Sequence, residues 1–96
     1  MSEDISITTD AVVFHKSNSG IYVLLIRRKN QPFKDAWALP GGFLEPKETL
    51  KYACARELEE ETGLRIKNWT QTGIYDDVDS DPRKRIISIA FASLLT

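Results

Sequence analysis

One cysteine, one histidine and no long apolar run set the first limits on this chain. Cys54 has no second cysteine with which to close an internal disulfide, so packing must hold the fold, and a lone thiol suits a reducing cytoplasm. His15, at the end of an apolar run, reads as structural or exposed rather than catalytic. No stretch approaches the roughly 18–20 apolar residues that cross a bilayer. The start, MSEDISITTD, is acidic and lacks the basic opening and apolar core of a signal peptide. Charge of one sign is also missing: 13 basic residues meet 14 acidic ones, a net charge of −1, which argues against a nucleic-acid-binding surface or a membrane patch. There is no internal repeat, low-complexity tract or linker. The 96 residues therefore read as one domain, 1–96, with 42% apolar and 28% charged residues and a small core.

Taken in order, ISITTDAVVFH (residues 5–15) alternates and then turns continuously apolar, which predicts a strand. KSNSG carries turn chemistry, and YVLLI (22–26) predicts a second strand paired with the first as an antiparallel hairpin. A polar loop, NQPFKDA, leads to Trp37 and to Leu39-Pro40-Gly41-Gly42. Pro40 restricts Leu39, while the two glycines permit positive φ or close approach of backbone to a ligand. Trp37 reads as packed beneath the helix that follows. That helix is expected to begin near Lys47 or Glu48, with Pro46 at its first turn, and to stop at Gly63. Glu45 and Glu48 would then complement its positive end. Residues 64–75 predict a strand broken at Gly73, DDVDSDPRK a charged solvated loop, and 85–95 a strand apolar enough to lie centrally in a sheet. The pattern is α/β with a mixed sheet.

The helix carries a contradiction. With Glu57 at zero and about 100° per residue, Leu50, Ala53, Cys54 and Leu58 lie at roughly +20°, −40°, +60° and +100°. Glu60 and Glu61 fall at about −60° and +40°, on or beside that same core-facing stripe. Cys54 on the stripe reads as core. Three carboxylates on one face, near the negative end of a helix, repel one another and lose water. A divalent cation with a preference for hard oxygen ligands relieves both.

The segment also fits a family pattern. Gly42, Glu48, Arg56, Glu57, Leu58, Glu60, Glu61, Gly63 and Leu64 occupy every defined position of the Nudix box, G-x5-E-x7-R-E-U-x-E-E-x-G-U with U aliphatic. The chain resembles the Nudix hydrolases, which cleave nucleoside diphosphates linked to another group. The resemblance implies a Nudix-type α/β/α sandwich, Mg²⁺ or Mn²⁺ as cofactor, and a nucleotide substrate. It also implies an ion pair of Glu48 with Arg56, a metal-directed backbone carbonyl near Gly41, and substrate contact at Gly42 and at Arg28. Family chains usually continue past the last strand into a further strand and a second long helix, so a truncated domain, or a partner covering one sheet face, is expected.

For the chemistry, Glu57 and Glu61 are the expected direct metal ligands, with Glu60 a ligand or the base that takes a proton from water. Arg56 joins Glu57 and Glu60 in the catalytic set, chiefly as support together with Glu48 and Gly63. Arg27 and Arg28 are candidates for phosphate oxygens, and alternation allows only one of them to point into the site. FKDAWALPGGFLEP and YDDVDSDPRKRIISIAF resemble ADP-ribose pyrophosphatases, in which a D-P-R-x-R element precedes a strand; these commonly dimerise. Hydrolysis of ADP-ribose to AMP and ribose 5-phosphate is the leading expectation. An ADP-ribose-sensing domain of a transcriptional regulator, and a hydrolase of modified nucleoside triphosphates, are the alternatives.

Overall fold

A computed structural model describes residues 4–31, 33–79, 81–82 and 84–95. The elements are β1 (Ile5–Ser17), β2 (Gly20–Val23), β3 (Ile26–Arg27), β4 (Trp37–Ala38), β5 (Gly41–Phe43), α1 (Leu50–Thr62), β6 (Thr70–Tyr75) and β7 (Arg85–Leu95). The main sheet runs β2-β1-β7-β6, with β5 pairing the N-terminal half of β1. It is mixed: β1 and β7 are parallel from Ile5↔Arg85 to His15↔Leu95, whereas β2, β5 and β6 join antiparallel. The expected hairpin forms through Phe14↔Val23 to Ser17↔Gly20, and β7 lies centrally, as its apolar run requires.

Alternation sorts the two long strands. Ala11 and Val13 of β1, Ile89 and Phe91 of β7, Cys54 and Leu58 of α1, and Trp69 make the buried cluster. Odd-numbered residues of β1 and β7 therefore face the helix. Trp69 closes the cluster, its Nε1–H donating to the Ile66 carbonyl at 3.0 Å, so the indole is buried without an orphaned donor.

Three boundaries depart from the sequence expectations. The helix begins at Leu50, with Thr49 as its N-cap accepting from the Tyr52 N–H at 3.2 Å, so Pro46 is not in its first turn. Lys47 instead takes φ 67° in the turn before it, and no acid occupies the first helical turn. The second strand stops at Val23; the chain then re-pairs as the small ribbon β3–β4, Ile26↔Ala38 and Arg27↔Trp37. The strand after the helix starts only at Thr70, residues 64–69 pairing with no strand; its register shifts between Gln71 and Gly73, where a break is expected. The helix ends as predicted: Gly63 takes φ 80°, and its N–H donates to the Glu59 carbonyl at 2.8 Å. Among the described residues, no helix is long and apolar enough to cross a membrane.

Candidate active site

The β5 strand delivers Gly41 and Gly42 against the C-terminal half of α1. A Cβ on Gly42 would lie 2.5 Å from the Glu57 carboxyl carbon, so the missing side chain makes room for that carboxylate. A Cβ on Gly41 would lie 2.1 Å from the Thr9 backbone oxygen. The Gly41 N–H donates to Glu61, at 3.1 Å from Oε2 and 3.3 Å from Oε1. These glycines are thus required for close approach rather than for positive φ, which among the described glycines is confined to Gly20 and Gly63.

Arg56 gathers the acids around it. Its Nε and Nη2 fork onto Glu48, with Nη2 3.0 Å from Oε1. Its Nη1 donates to Glu57 at 2.7 Å and to Glu60 at 3.1 Å, and Nη2 also reaches the Phe43 carbonyl at 3.3 Å. Glu45 lies 3.6 Å from Nη2. The hydrogen bond from Arg56 holds the Glu48 carboxyl below its usual range, assisted by the Glu45 N–H, and Glu48 in turn pushes the Arg56 pKa up. Glu45 and Glu48 therefore serve a side chain two turns along the helix instead of its N-terminal dipole. The guanidinium ties the Phe43–Glu48 turn to the helix, which fixes β5 beside Glu57.

Glu61 sits one turn beyond Glu57. It keeps contact with solvent, yet lost hydration pushes its pKa up, against the Gly41 hydrogen bond; Glu57 and Glu60 raise it further, and Arg28 opposes them. Among the described residues, Arg28 is the arginine whose charge acts on Glu61. Arg27 lies on the other side of the β3–β4 ribbon, 5.6 Å from the Trp37 ring centroid, with its Nε donating to the Asp35 carbonyl at 3.4 Å. Trp37 is 66% exposed, so it does not pack beneath the helix: its neighbour Ala38 takes the inward side of the ribbon.

Two groups near the glycines escaped the sequence reading. Asp10, paired with Gly41 across β1 and β5, is half-buried, and burial pushes its pKa up. Thr9, paired with Gly42, is fully buried, and among the described residues its Oγ1 has no hydrogen-bond partner. The available signal was the polar run Thr8-Thr9-Asp10 ahead of the apolar residues 11–14 of the same strand. Cys54 is buried as expected; burial first, and the charge of Asp10 second, push its thiol up to about 12.

Among the described residues, no three His, Cys, Asp or Glu side chains converge into a group ready to hold a metal, and this includes the aspartates after Tyr75. Arg83 of the D-P-R-x-R element lies outside the described residues. The donors nonetheless fit Mg²⁺ or Mn²⁺ in kind. Glu57 and Glu61 are hard oxygen ligands a turn apart, the mutual repulsion raising Glu61 is what a cation offsets, and Gly42 leaves the carboxylate its place. Mg²⁺ takes one or two carboxylates and keeps water and phosphate oxygens for the rest, so a third protein ligand is not required.

Comparison with known proteins places this geometry. Residues 6–96 match the NUDIX domain. An ADP-ribose pyrophosphatase of Methanocaldococcus jannaschii is 54% identical over 69 residues, 72% of this chain and 41% of its own length. The NUDIX domain of Shewanella oneidensis NrtR, solved with ADP ribose, superposes with a TM-score of 0.91 at 29% identity, covering 99% of this chain and 63% of that one. A bifunctional NMN adenylyltransferase/ADP ribose pyrophosphatase of Francisella tularensis, solved with AMP and a Mn ion, superposes with a TM-score of 0.83 at 35% identity, covering 98% and 28%. The chain thus spans between 28% and 63% of these relatives' length, less than two thirds in each case.

Proposed function

Because the chain belongs to the NUDIX domain family, we propose that it hydrolyses a nucleoside diphosphate linked to another group, with ADP-ribose as substrate and AMP and ribose 5-phosphate as products. One observation carries the reading: Glu57 and Glu61 stand a turn apart over the Gly41–Gly42 strand, with the charge of Arg28 acting on Glu61. The likeness to an ADP-ribose pyrophosphatase and to an ADP-ribose-bound domain supports the choice of substrate.

Glu57 and Glu61 would hold Mg²⁺ or Mn²⁺, with the Gly41 backbone and Glu60 as further candidate donors. When bound, such a cation would supply neutralisation of phosphate charge and a lowered pKa for a bound water. Arg28 draws the pyrophosphate to the carboxylates by offsetting their negative field. Gly42 lets the substrate approach the backbone. Glu60 takes the proton from water, a role supported by its exposure and by its hydrogen bond from Arg56 beside Glu57. Arg56 and Glu48 hold the turn so that Glu57 stays in place. The reduced, buried Cys54 suits the cytoplasm, and the protein works as a homodimer.

The test is ADP-ribose hydrolysis with Mg²⁺ by the parent and by Glu61→Gln. AMP and ribose 5-phosphate from the parent, with at least a hundredfold less from the variant, are expected. A binding-only role is the second reading, favoured by the likeness to the NrtR domain, which was solved in complex with ADP ribose. Saturable ADP-ribose binding without product would establish that role and refute hydrolysis.

A further inference from the structure

We infer that the Thr9 hydroxyl is a positioning group for the Glu57 carboxylate in the cation-bound state, an inference that rests on the metal-dependent reading above. Thr9 is 0% exposed. The register of β1 against β7 is unbroken through it, so Thr9 faces α1 with Ala11 and Val13. On its other edge Thr9 stands directly opposite Gly42. Such antiparallel partners share a face, with Cβ positions about 4.5–5.5 Å apart. Gly42 has no Cβ, and the carboxyl group of Glu57 lies 2.5 Å from where one would be. The Glu57 carboxylate is therefore the cross-strand neighbour of Thr9 in place of a side chain on β5.

The hydroxyl makes no hydrogen bond to that neighbour or to any other described group. Glu57 Oε1 is taken by Arg56 instead. A buried, unpartnered hydroxyl lowers stability, and valine replaces it with a methyl group that carries no such penalty. Val12 and Val13 in the same strand show that valine suits the local backbone. A position selected for packing alone would be filled by valine. The oxygen makes sense as a donor waiting for the carboxylate: when one Glu57 oxygen turns to a cation, the other accepts from Thr9 Oγ1. Hydrogen bonds to a ligating carboxylate orient it and strengthen its hold on the metal.

The test compares Thr9→Val and Thr9→Ser with the parent in the 96-residue chain, reading Mn²⁺ affinity by electron paramagnetic resonance and melting without metal. The valine variant is expected to melt about 4–8 °C higher without metal and to bind Mn²⁺ about tenfold more weakly. Serine restores the affinity while melting lower than valine. A purely structural threonine would move stability and affinity in the same direction. Valine binding Mn²⁺ as tightly as the parent, or melting below it without metal, overturns the inference. If Glu57→Gln abolishes Mn²⁺ binding while Thr9→Val leaves it intact, only the role of Thr9 falls; if the folded parent binds no Mn²⁺, the metal-dependent reading falls with it.

Discussion

Adding one methyl at each of the two glycines should separate site geometry from stability. A Cβ on Gly42 meets the Glu57 carboxyl at 2.5 Å, whereas ordinary contact begins at 3.4 Å. The obstacle is the far end of a flexible side chain, so it yields by moving about 1 Å. Rotating it away costs little, and Gly42→Ala should melt within about 4 °C of the parent, less than about 1 kcal/mol for a domain of this size. The site is less forgiving. Ligand groups need placement within about 0.5 Å, and a misplacement of 1 Å costs about a hundredfold in rate. Gly42→Ala should therefore lose about a hundredfold in ADP-ribose turnover and bind Mn²⁺ more weakly while remaining folded. At Gly41 the obstacle is backbone: the new Cβ would sit 2.1 Å from the Thr9 oxygen, where β5 pairs with β1. Relief there means separating strands, at about 3 kcal/mol or more, and melting should fall by about 12 °C or more. Calorimetry and Mn²⁺ titration on both variants decide the matter. Unchanged Mn²⁺ affinity in Gly42→Ala, or equal destabilisation of both variants, would refute the assignment of Gly42 as the space held open for Glu57.

Two further outcomes follow from the titrating groups. Glu61 has its folded pKa raised above the ordinary 4.5, so the folded state holds its proton longer than the unfolded one. Stability without metal should therefore fall as pH rises from about 4.5 through the raised value. Glu61→Gln should remove that part of the slope, and saturating Mg²⁺ should reverse it; a parent and variant with parallel pH–stability curves would contradict the crowding of these carboxylates. The Cys54 thiol, pushed up to about 12 by burial and by Asp10, stays protonated and covered at neutral pH. A chromogenic disulfide reagent should label it only at the rate of unfolding, and fast labelling under native conditions would show that the α1–sheet core opens at Cys54.

Much of this fold was legible because it is written locally. Alternation in ISITTDAVVFH and the apolar run RIISIAFASLL is enough to place two strands, and period 3.6 with a glycine stop is enough to end the helix at Thr62. The box spacing likewise brings Glu57 and Glu61 onto one face, since helix geometry depends on residue separation alone. The helix start was misjudged because two local signals competed: Pro46 suits a first turn, but the Thr49 cap and the demand of Arg56 for Glu45 and Glu48 hold those acids in a turn outside the helix. Trp37 was misplaced because a two-residue ribbon offers too short a period to reveal which side faces out.

What only tertiary structure decided are the relations between residues far apart in the chain. Composition and spacing name the carboxylates, the arginines and the glycines. They do not reveal that β5 pairs with β1, and that pairing alone sets Thr9 against Gly42 and Asp10 against Gly41. The reason is physical: a helix face is a property of one segment, but a cross-strand neighbour is a property of register, chosen by the packing of the whole sheet.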